Sequence, residues 1–397
     1  MEKIFVVCTP GLEPFAAQEL SQLGLIRSYE NKVPYEPGGI EFQGSIHELY
    51  RANLYFRTAS RLLVRLGQFH AVEFAELRRK AGRLPWENYL SPGREIAFHV
   101  TCQRSRLYHE AAVAERVAGA IGDRLGKPSP VHKRQEDSDT DLRQLIVIRL
   151  VDNLCTISID SSGALLHRRG YRLATAKAPL RETLASAMLM ASGWDKTSPL
   201  LDPFCGSGTI PIEAALMARK IPPGFRRRFA FMEWPYFDSK VWGDLLADAA
   251  NALVSDVPRI IGSDRDAGAM RAAQANAERA ELAGRIEFSC RAISVIDPPF
   301  GPGWVVTNPP YGVRVGKKDD LRNLYAQFGK VMRARCPGWR VTMICDRVRL
   351  IHNTGLDFDK GIPTTNGGLK VKLVKAQVPQ PTRVGDKEMR RWGDERR

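Results

Sequence analysis

The ten residues Leu200-Leu201-Asp202-Pro203-Phe204-Cys205-Gly206-Ser207-Gly208-Thr209 constrain this chain more than any other stretch. An apolar run ends in an acid, and a Gly-x-Gly turn then opens a helix near Ile210. Two glycines let the backbone approach a ligand closely, and a helix start leaves N–H donors unpaired. A buried strand entering such a turn belongs to an open, mostly parallel sheet flanked by helices, where ligands bind beyond the carboxyl ends of the strands. The sequence around it agrees. Strands are predicted over 199–202, 259–264, 286–290, 304–307 and 339–345, alternating with helical stretches.

Three ligands could use the turn. A P-loop needs Gly-Lys-Ser/Thr, and no lysine follows Gly208. A dinucleotide fingerprint needs a third glycine near 211, where this chain has Pro211. S-adenosylmethionine has no phosphate, so the turn needs only to admit its methionine portion. Asp202 can face the ammonium, and Pro203, Phe204, Gly206, Gly208 and Thr209 line the same loop. A second acid, Asp264, closes the 259–264 strand and can accept both ribose hydroxyls, while Asp266 reads as the cap of the helix after it.

Further on, Val305-Val306-Thr307 runs into Asn308-Pro309-Pro310-Tyr311. This suits methyl transfer to an exocyclic amine, whose lone pair is delocalised into its ring and whose nitrogen carries two N–H donors. The Asn308 side-chain carbonyl can accept one and the Pro309 backbone carbonyl the other, held stiffly by Pro310. Together they align the nitrogen and stabilise the charge that develops on it. Tyr311 offers a flat face to a flipped-out base. No strong general base is required, because the proton can leave after transfer.

The rest of the chain supplies context. A formal net charge of +15 and a sequence pI of about 9.6 point to an acidic partner such as nucleic acid. Arg226, Arg227, Arg228, Arg314, Lys317 and Lys318 flank the expected site and read either as phosphate contacts or as a solvated surface. Trp234, Tyr236 and Trp242 read as packing residues rather than stacking platforms. The seven cysteines are scattered with no C-x-x-C pair, which argues against zinc and against a disulfide framework, so no metal is expected. No stretch approaches the roughly 18 apolar residues of a membrane span. The N-terminus reads as a strand and turn rather than a signal peptide, and the expected setting is the cytoplasm. Before residue 161 short strands interleave with helices as an α+β region, and the tail from Pro379 reads as loosely ordered.

On these residues the chain resembles the class I amino-methyltransferases. The segments His167-Arg168-Arg169-Gly170-Tyr171-Arg172, Ala178-Pro179-Leu180-Arg181-Glu182 and Pro223-Gly224-Phe225-Arg226-Arg227-Arg228-Phe229 narrow the likeness. With them it resembles the guanine-N2 RNA methyltransferases that carry a THUMP domain, and among these the N-terminal half of the bacterial 23S rRNA enzyme and its stand-alone relatives. The resemblance implies an α/β fold, with a Rossmann-like class I methyltransferase domain preceded by an α+β ferredoxin-like plus THUMP region. The implied division is a ferredoxin-like unit over 1–44, THUMP over 45–160, the methyltransferase over 161–390 and a basic tail over 391–397. Many relatives contact the cofactor's adenine through an acid after the third strand. Here Cys290-Arg291-Ala292 stands in that region, which moves the contact to the backbone at Ala292 or to Asp297. The implied activity is S-adenosylmethionine-dependent methylation of guanine N2 in structured RNA, with rRNA favoured over tRNA. DNA adenine-N6 methylation and an inactive RNA-binding protein are the rivals.

Overall fold

In the computed structural model, residues 1–26, 35–133, 143–172, 180–311 and 318–380 are described. The expected tail lies almost wholly outside them, as do Arg314 and Lys317. Two sheets organise the chain. The first joins β1 (Glu2–Cys8), β2 (Tyr35–Glu36), β3 (Gly39–Gly44), β4 (Ala59–His70), β5 (Ile96–Gln103), β6 (Val131–His132), β7 (Gln144–Val151) and β8 (Leu154–Asp160) in the order β2-β3-β1-β4-β8-β7-β5-β6. It is therefore a single sheet running through the whole α+β region. Its strands alternate as half-buried strands should: in β1, Ile4, Val6 and Cys8 are buried and the residues between them are more exposed.

The helices α1 (Glu13–Gln22), α2 (Ile46–Tyr55), α3 (Phe74–Ala81) and α4 (Glu110–Leu125) contribute apolar residues to the core of this sheet. The start of α2 is set locally by a capping box. The Ser45 side chain accepts from Glu48 N, and the Glu48 carboxylate accepts from Ser45 N at 2.6 Å.

The second sheet is built after residue 199 from β9 (Leu200–Asp202), β10 (Ile260–Asp264), β11 (Glu287–Cys290), β12 (Trp304–Thr307), β13 (Arg340–Cys345), β14 (Ile362–Asn366) and β15 (Leu369–Gln377). Their order is β11-β10-β9-β12-β13-β15-β14. The strands from β11 to β13 are parallel, and the β14–β15 hairpin joins antiparallel to β13. The five expected strands all form, within a residue of their expected bounds. The terminal hairpin was not foreseen. The helices α5 (Glu182–Ser192), α6 (Thr209–Ala218), α8 (Ala267–Arg279), α9 (Lys318–Arg335) and α10 (Val348–Asn353) accompany this sheet. Strand order reverses between β9 and β12, and a doubly wound sheet binds its ligands at that reversal.

The excursion between α6 and β10, which carries α7 (Ser239–Asn251), packs into the core of the first sheet. Phe231 stacks on Tyr50 with ring centroids 4.5 Å apart, and Trp234 Nε1 donates to Gln144 Oε1 at 2.8 Å. Trp234 and Trp242 are buried there, with Tyr236 packed alongside, so all three are packing residues. The basic run before them is also largely structural. Arg227 donates to the carbonyls of Ala164, Leu165 and Arg168, while Arg226 pairs with Glu281 and Arg228 with Glu233. Arg227, with its donors turned onto main-chain carbonyls, is no phosphate contact.

The two sheets are joined through Glu213 of α6, which is fully buried. Its oxygens accept from Tyr171 Oη at 3.1 Å and Ser186 Oγ at 2.8 Å. Arg169 Nε and Arg57 Nη1 stand 3.6 and 4.0 Å away. Arg57 follows α2, and Arg169 and Tyr171 belong to the connecting segment. Removing one member of a buried charge cluster leaves the others uncompensated, at a cost of about 3–5 kcal/mol. Glu213→Ala should therefore lose about that much in denaturant unfolding, whereas Arg228→Ala, at an exposed pair, should change stability by no more than about 0.5 kcal/mol.

Candidate active site

The turn after β9 has the shape that its glycines allow. Gly206 and Gly208 have φ of +52° and +82°, in the left-handed region, and Gly208 caps α6. A Cβ added at Gly206 would meet nothing within 4 Å, so that side of the turn is open. Asp264, at the end of β10, accepts from Gly206 N at 3.1 Å through Oδ2 and from Asp266 N at 3.0 Å through Oδ1. Asp266 caps α8 by accepting from Gly268 N and Ala269 N, as its position implied. The chain leaves β11 beside Asp264, whose carbonyl accepts from Arg291 N at 3.0 Å. Ala292 follows, exposed, and so is Asp297.

Asp202 is fully buried and binds its own scaffold. Its Oδ1 accepts from Thr307 Oγ1 at 2.6 Å and from Phe204 N at 3.1 Å, which ties the end of β9 to the end of β12. Burial lifts its pKa from 3.8 to about 7, opposed by the Thr307 and Phe204 hydrogen bonds and assisted by the charge of Asp264. Thr209 also faces inward: its hydroxyl accepts from Arg172, which donates to Leu180 O as well. Behind the turn, Asn276 Nδ2 donates to Ser207 O at 3.0 Å, and Arg279 links Asn276 to the carbonyl of Tyr171.

On the other side of the strand reversal, Asn308 and Tyr311 are partly buried and Pro309 is buried. Asn308 Oδ1 is buried and has no hydrogen-bond donor. Such an atom carries a desolvation cost that an incoming hydrogen-bond donor relieves. Tyr325 Oη donates to the Pro310 carbonyl at 3.3 Å, and Asn366 Nδ2 donates to Tyr311 Oη at 2.6 Å. The Tyr311 ring is thus held by its hydroxyl from the end of β14, and burial raises its pKa.

Thr307, Tyr325 and Asn366 escaped the sequence reading. The one signal was Asn366-Gly367-Gly368, a hairpin turn that brings β14 back as β15. Of the flanking basic residues, Lys318 opens α9, and Arg314 and Lys317 lie outside the described residues. Among the described residues there is no cluster of His, Cys, Asp and Glu that could hold a metal, and no helix long and apolar enough to cross a membrane.

Residues 169–374 match the family described as RMKL-like, methyltransferase domain, and residues 3–63 match the RlmL ferredoxin-like domain. A Synechocystis sp. protein named as a candidate RNA methyltransferase is 37% identical over 380 residues, covering 94% of this chain and 96% of that protein. The ribosomal RNA large subunit methyltransferase K/L of Syntrophotalea carbinolica is 34% identical over 390 residues, covering 95% of this chain and 54% of its own length. The chain thus spans about half the length of the K/L relatives it matches. Among solved structures, SMU.472, described as a candidate methyltransferase in complex with S-adenosylhomocysteine, superposes with a TM-score of 0.83 at 27% identity over 96% of this chain and 98% of its own. A predicted N6-adenine-specific DNA methylase from Listeria monocytogenes gives 0.82 at 32% identity, over 96% of both chains. The fold is the class I, Rossmann-like methyltransferase fold with a ferredoxin-like domain before it, and the cofactor is S-adenosylmethionine.

The raised pKa of Asp202 has a definite sign. A carboxyl that holds its proton more tightly when folded adds stability below its unfolded pKa, and that stability is lost as pH rises through the folded value. The contribution of Asp202 to stability should be lost as pH climbs from 3.8 through about 7. Asp202→Asn keeps an acceptor for Thr307 and Phe204 but does not titrate, so its loss over this range should be smaller. Thermal unfolding of both proteins against pH decides, and parallel curves would refute the assignment.

Proposed function

The chain belongs to the RMKL-like methyltransferase family, and on that premise we propose that it methylates the exocyclic N2 amine of a guanosine in structured RNA, with large-subunit rRNA as the favoured substrate. One observation carries the reading: Asn308 Oδ1, buried and without a donor at the strand reversal. An amine nitrogen placed there donates one hydrogen to Asn308 and the other to the Pro309 carbonyl, and its base stacks on Tyr311. The two acceptors fix the direction of the nitrogen lone pair and stabilise the positive charge that grows on it during attack. The proton then leaves to solvent.

Bound S-adenosylmethionine supplies an electrophilic methyl group on a sulfonium, with the thioether of S-adenosylhomocysteine as leaving group. The residues present fit it. The open side of Gly206 admits the methionine portion, and the adjoining Pro203, Phe204 and Gly208 shape the turn. Asp202 is the carboxylate assigned to its ammonium, and Asp264 has further lone pairs for the ribose hydroxyls. The backbone at Ala292, exposed beside the end of β10, is assigned to the adenine. Thr209 acts from behind, by holding Arg172 against the start of α6.

The N-terminal sheet is the candidate RNA-gripping part. We assign it as the ferredoxin-like unit and a THUMP domain extending to about residue 160, with the net charge of +15 favouring a polyanion. The names of the K/L relatives and of the Synechocystis protein support RNA as the substrate class. The Listeria structure's description keeps adenine N6 in DNA as the second reading, since an Asn-Pro-Pro-Tyr site serves either amine. Transfer to a tRNA guanosine would use the same site.

Tritiated methyl transfer onto total RNA from cells lacking the gene, followed by nucleoside analysis, should yield N2-methylguanosine in 23S rRNA. Label in N6-methyladenosine, or in DNA offered in parallel, would refute the guanine reading. Asn308→Ala should reduce transfer about 100- to 1000-fold, as loss of one transition-state hydrogen bond does, while calorimetric affinity for S-adenosylmethionine stays close to wild type. Turnover near the wild-type rate would remove Asn308 from the mechanism.

A further inference from the structure

Asn308 Oδ1 is not alone at this edge of the catalytic sheet. Asp346 Oδ1 is also buried without a hydrogen-bond partner. The two residues follow the ends of neighbouring strands. Thr307 of β12 pairs with Met343 of β13, and three residues further along each chain come Pro310 and Asp346. Asp346 therefore closes its strand at the level of the Asn308–Tyr311 turn. Burial raises the Tyr311 and Tyr325 phenols, and the charge of Asp346 adds to the rise in both, which places the carboxylate close to the two rings that frame the turn.

No structural duty accounts for this carboxylate. The helix α10 begins two residues later, with Arg347 as its N-cap and no side-chain capping bond. Arg347 Nε lies 3.5 Å from the other oxygen, Oδ2, which leaves Oδ1 unsatisfied. The Asp346 side chain is 16% exposed. A buried carboxylate oxygen without a donor is costly, and a ligand that brings a donor relieves the cost.

Two acceptors that follow neighbouring strands at one edge of the sheet match guanine. Its Watson–Crick edge presents the N2 amine and the N1–H as adjacent donors. Adenine presents its N6 amine next to N1, which is itself an acceptor and would face the carboxylate lone pairs. We propose that Asp346 accepts the N1–H of the target base while Asn308 accepts an N2–H, and that this pairing selects guanine over adenine at a site otherwise suited to either amine. The inference rests on the guanine reading above and adds the residue that enforces it. It also separates this site from one for adenine N6, where a carboxylate at this position would oppose binding.

The test uses 2-aminopurine, which keeps the N2 amine of guanine but has an unprotonated N1 and no O6, so the readout is how substitution of Asp346 changes the preference. The substrates are two synthetic RNA hairpins spanning the nucleotide methylated in total RNA, one with guanine and one with 2-aminopurine at that position. Wild-type kcat/KM should favour guanine by roughly 10- to 100-fold, the size of one lost directional hydrogen bond in a base-reading pair. Asp346→Asn, whose amide can donate to an unprotonated N1, should shrink that preference about tenfold or more, and Asp346→Ser should shrink it less. Affinity for S-adenosylmethionine should stay within about twofold in both, because the proposed contact is to the base and not to the cofactor. A preference unchanged in both variants overturns the proposal. So does loss of cofactor binding in both, which would make Asp346 structural. If wild-type enzyme forms no N2-methylguanosine, the guanine reading itself fails, and this inference fails with it.

Discussion

The buried carboxylate of Glu213 is the interaction on which the rest of this structure depends. It sits on α6, the helix that the Gly206–Gly208 turn opens, and it meets groups from three other places in the chain. Arg57 comes from the loop between α2 and β4, Arg169 and Tyr171 from the connecting segment, and Ser186 from α5. A carboxylate removed from water holds its place only when its partners are all present. That requirement couples the position of α6 to the docking of the N-terminal sheet. The same segment then reaches the turn itself, through Arg172 on Thr209 and through Tyr171, Arg279 and Asn276 on Ser207. The Gly206–Gly208 turn is thus supported from behind by the segment that leads into its domain.

The reacting side of the site follows a different logic. Asp202 and Thr307 join the ends of β9 and β12 across the strand reversal. Tyr325 and Asn366 secure the Pro310 carbonyl and the Tyr311 hydroxyl. With those groups engaged, the oxygens of Asn308 and Asp346 stay buried and unsatisfied. A rigid frame around unsatisfied acceptors is how a site can favour an amine with a particular pattern of donors, because the frame does not reorganise when the donor arrives. The C-terminal hairpin, which contributes no strand to the parallel part of the sheet, earns its place in the site through Asn366.

Much of this was legible in the residues. The parallel strands, the Gly-x-Gly turn, the cap role of Asp266 and the Asn308–Tyr311 segment all show in local pattern, since strand periodicity, positive φ and capping are properties of a few consecutive residues. The cofactor class followed from the absence of a lysine or third glycine in the turn. Less legible were the tasks of polar side chains whose partners lie far along the chain. Arg227 read equally as a phosphate contact, and only its distance to the 164–168 carbonyls shows it to be structural. Thr209 read as a cofactor residue, and its hydroxyl turns out to face Arg172. Nothing local about Tyr325 or Asn366 indicates that they fix the Asn308–Tyr311 turn.

The sequence by itself therefore determined the doubly wound sheet, its cofactor and the Asn308–Tyr311 segment after β12, because each is encoded by contiguous residues with strong local preferences. Tertiary structure alone decided three things: that the aromatic excursion after α6 packs into the N-terminal core, that Glu213 unites the two sheets, and that Asp346 comes level with the Asn308–Tyr311 turn. In each case the residues are separated by scores of positions in the chain. What brings them together is burial of apolar surface and the pairing that every buried charge requires, and both are settled only when the whole chain has folded.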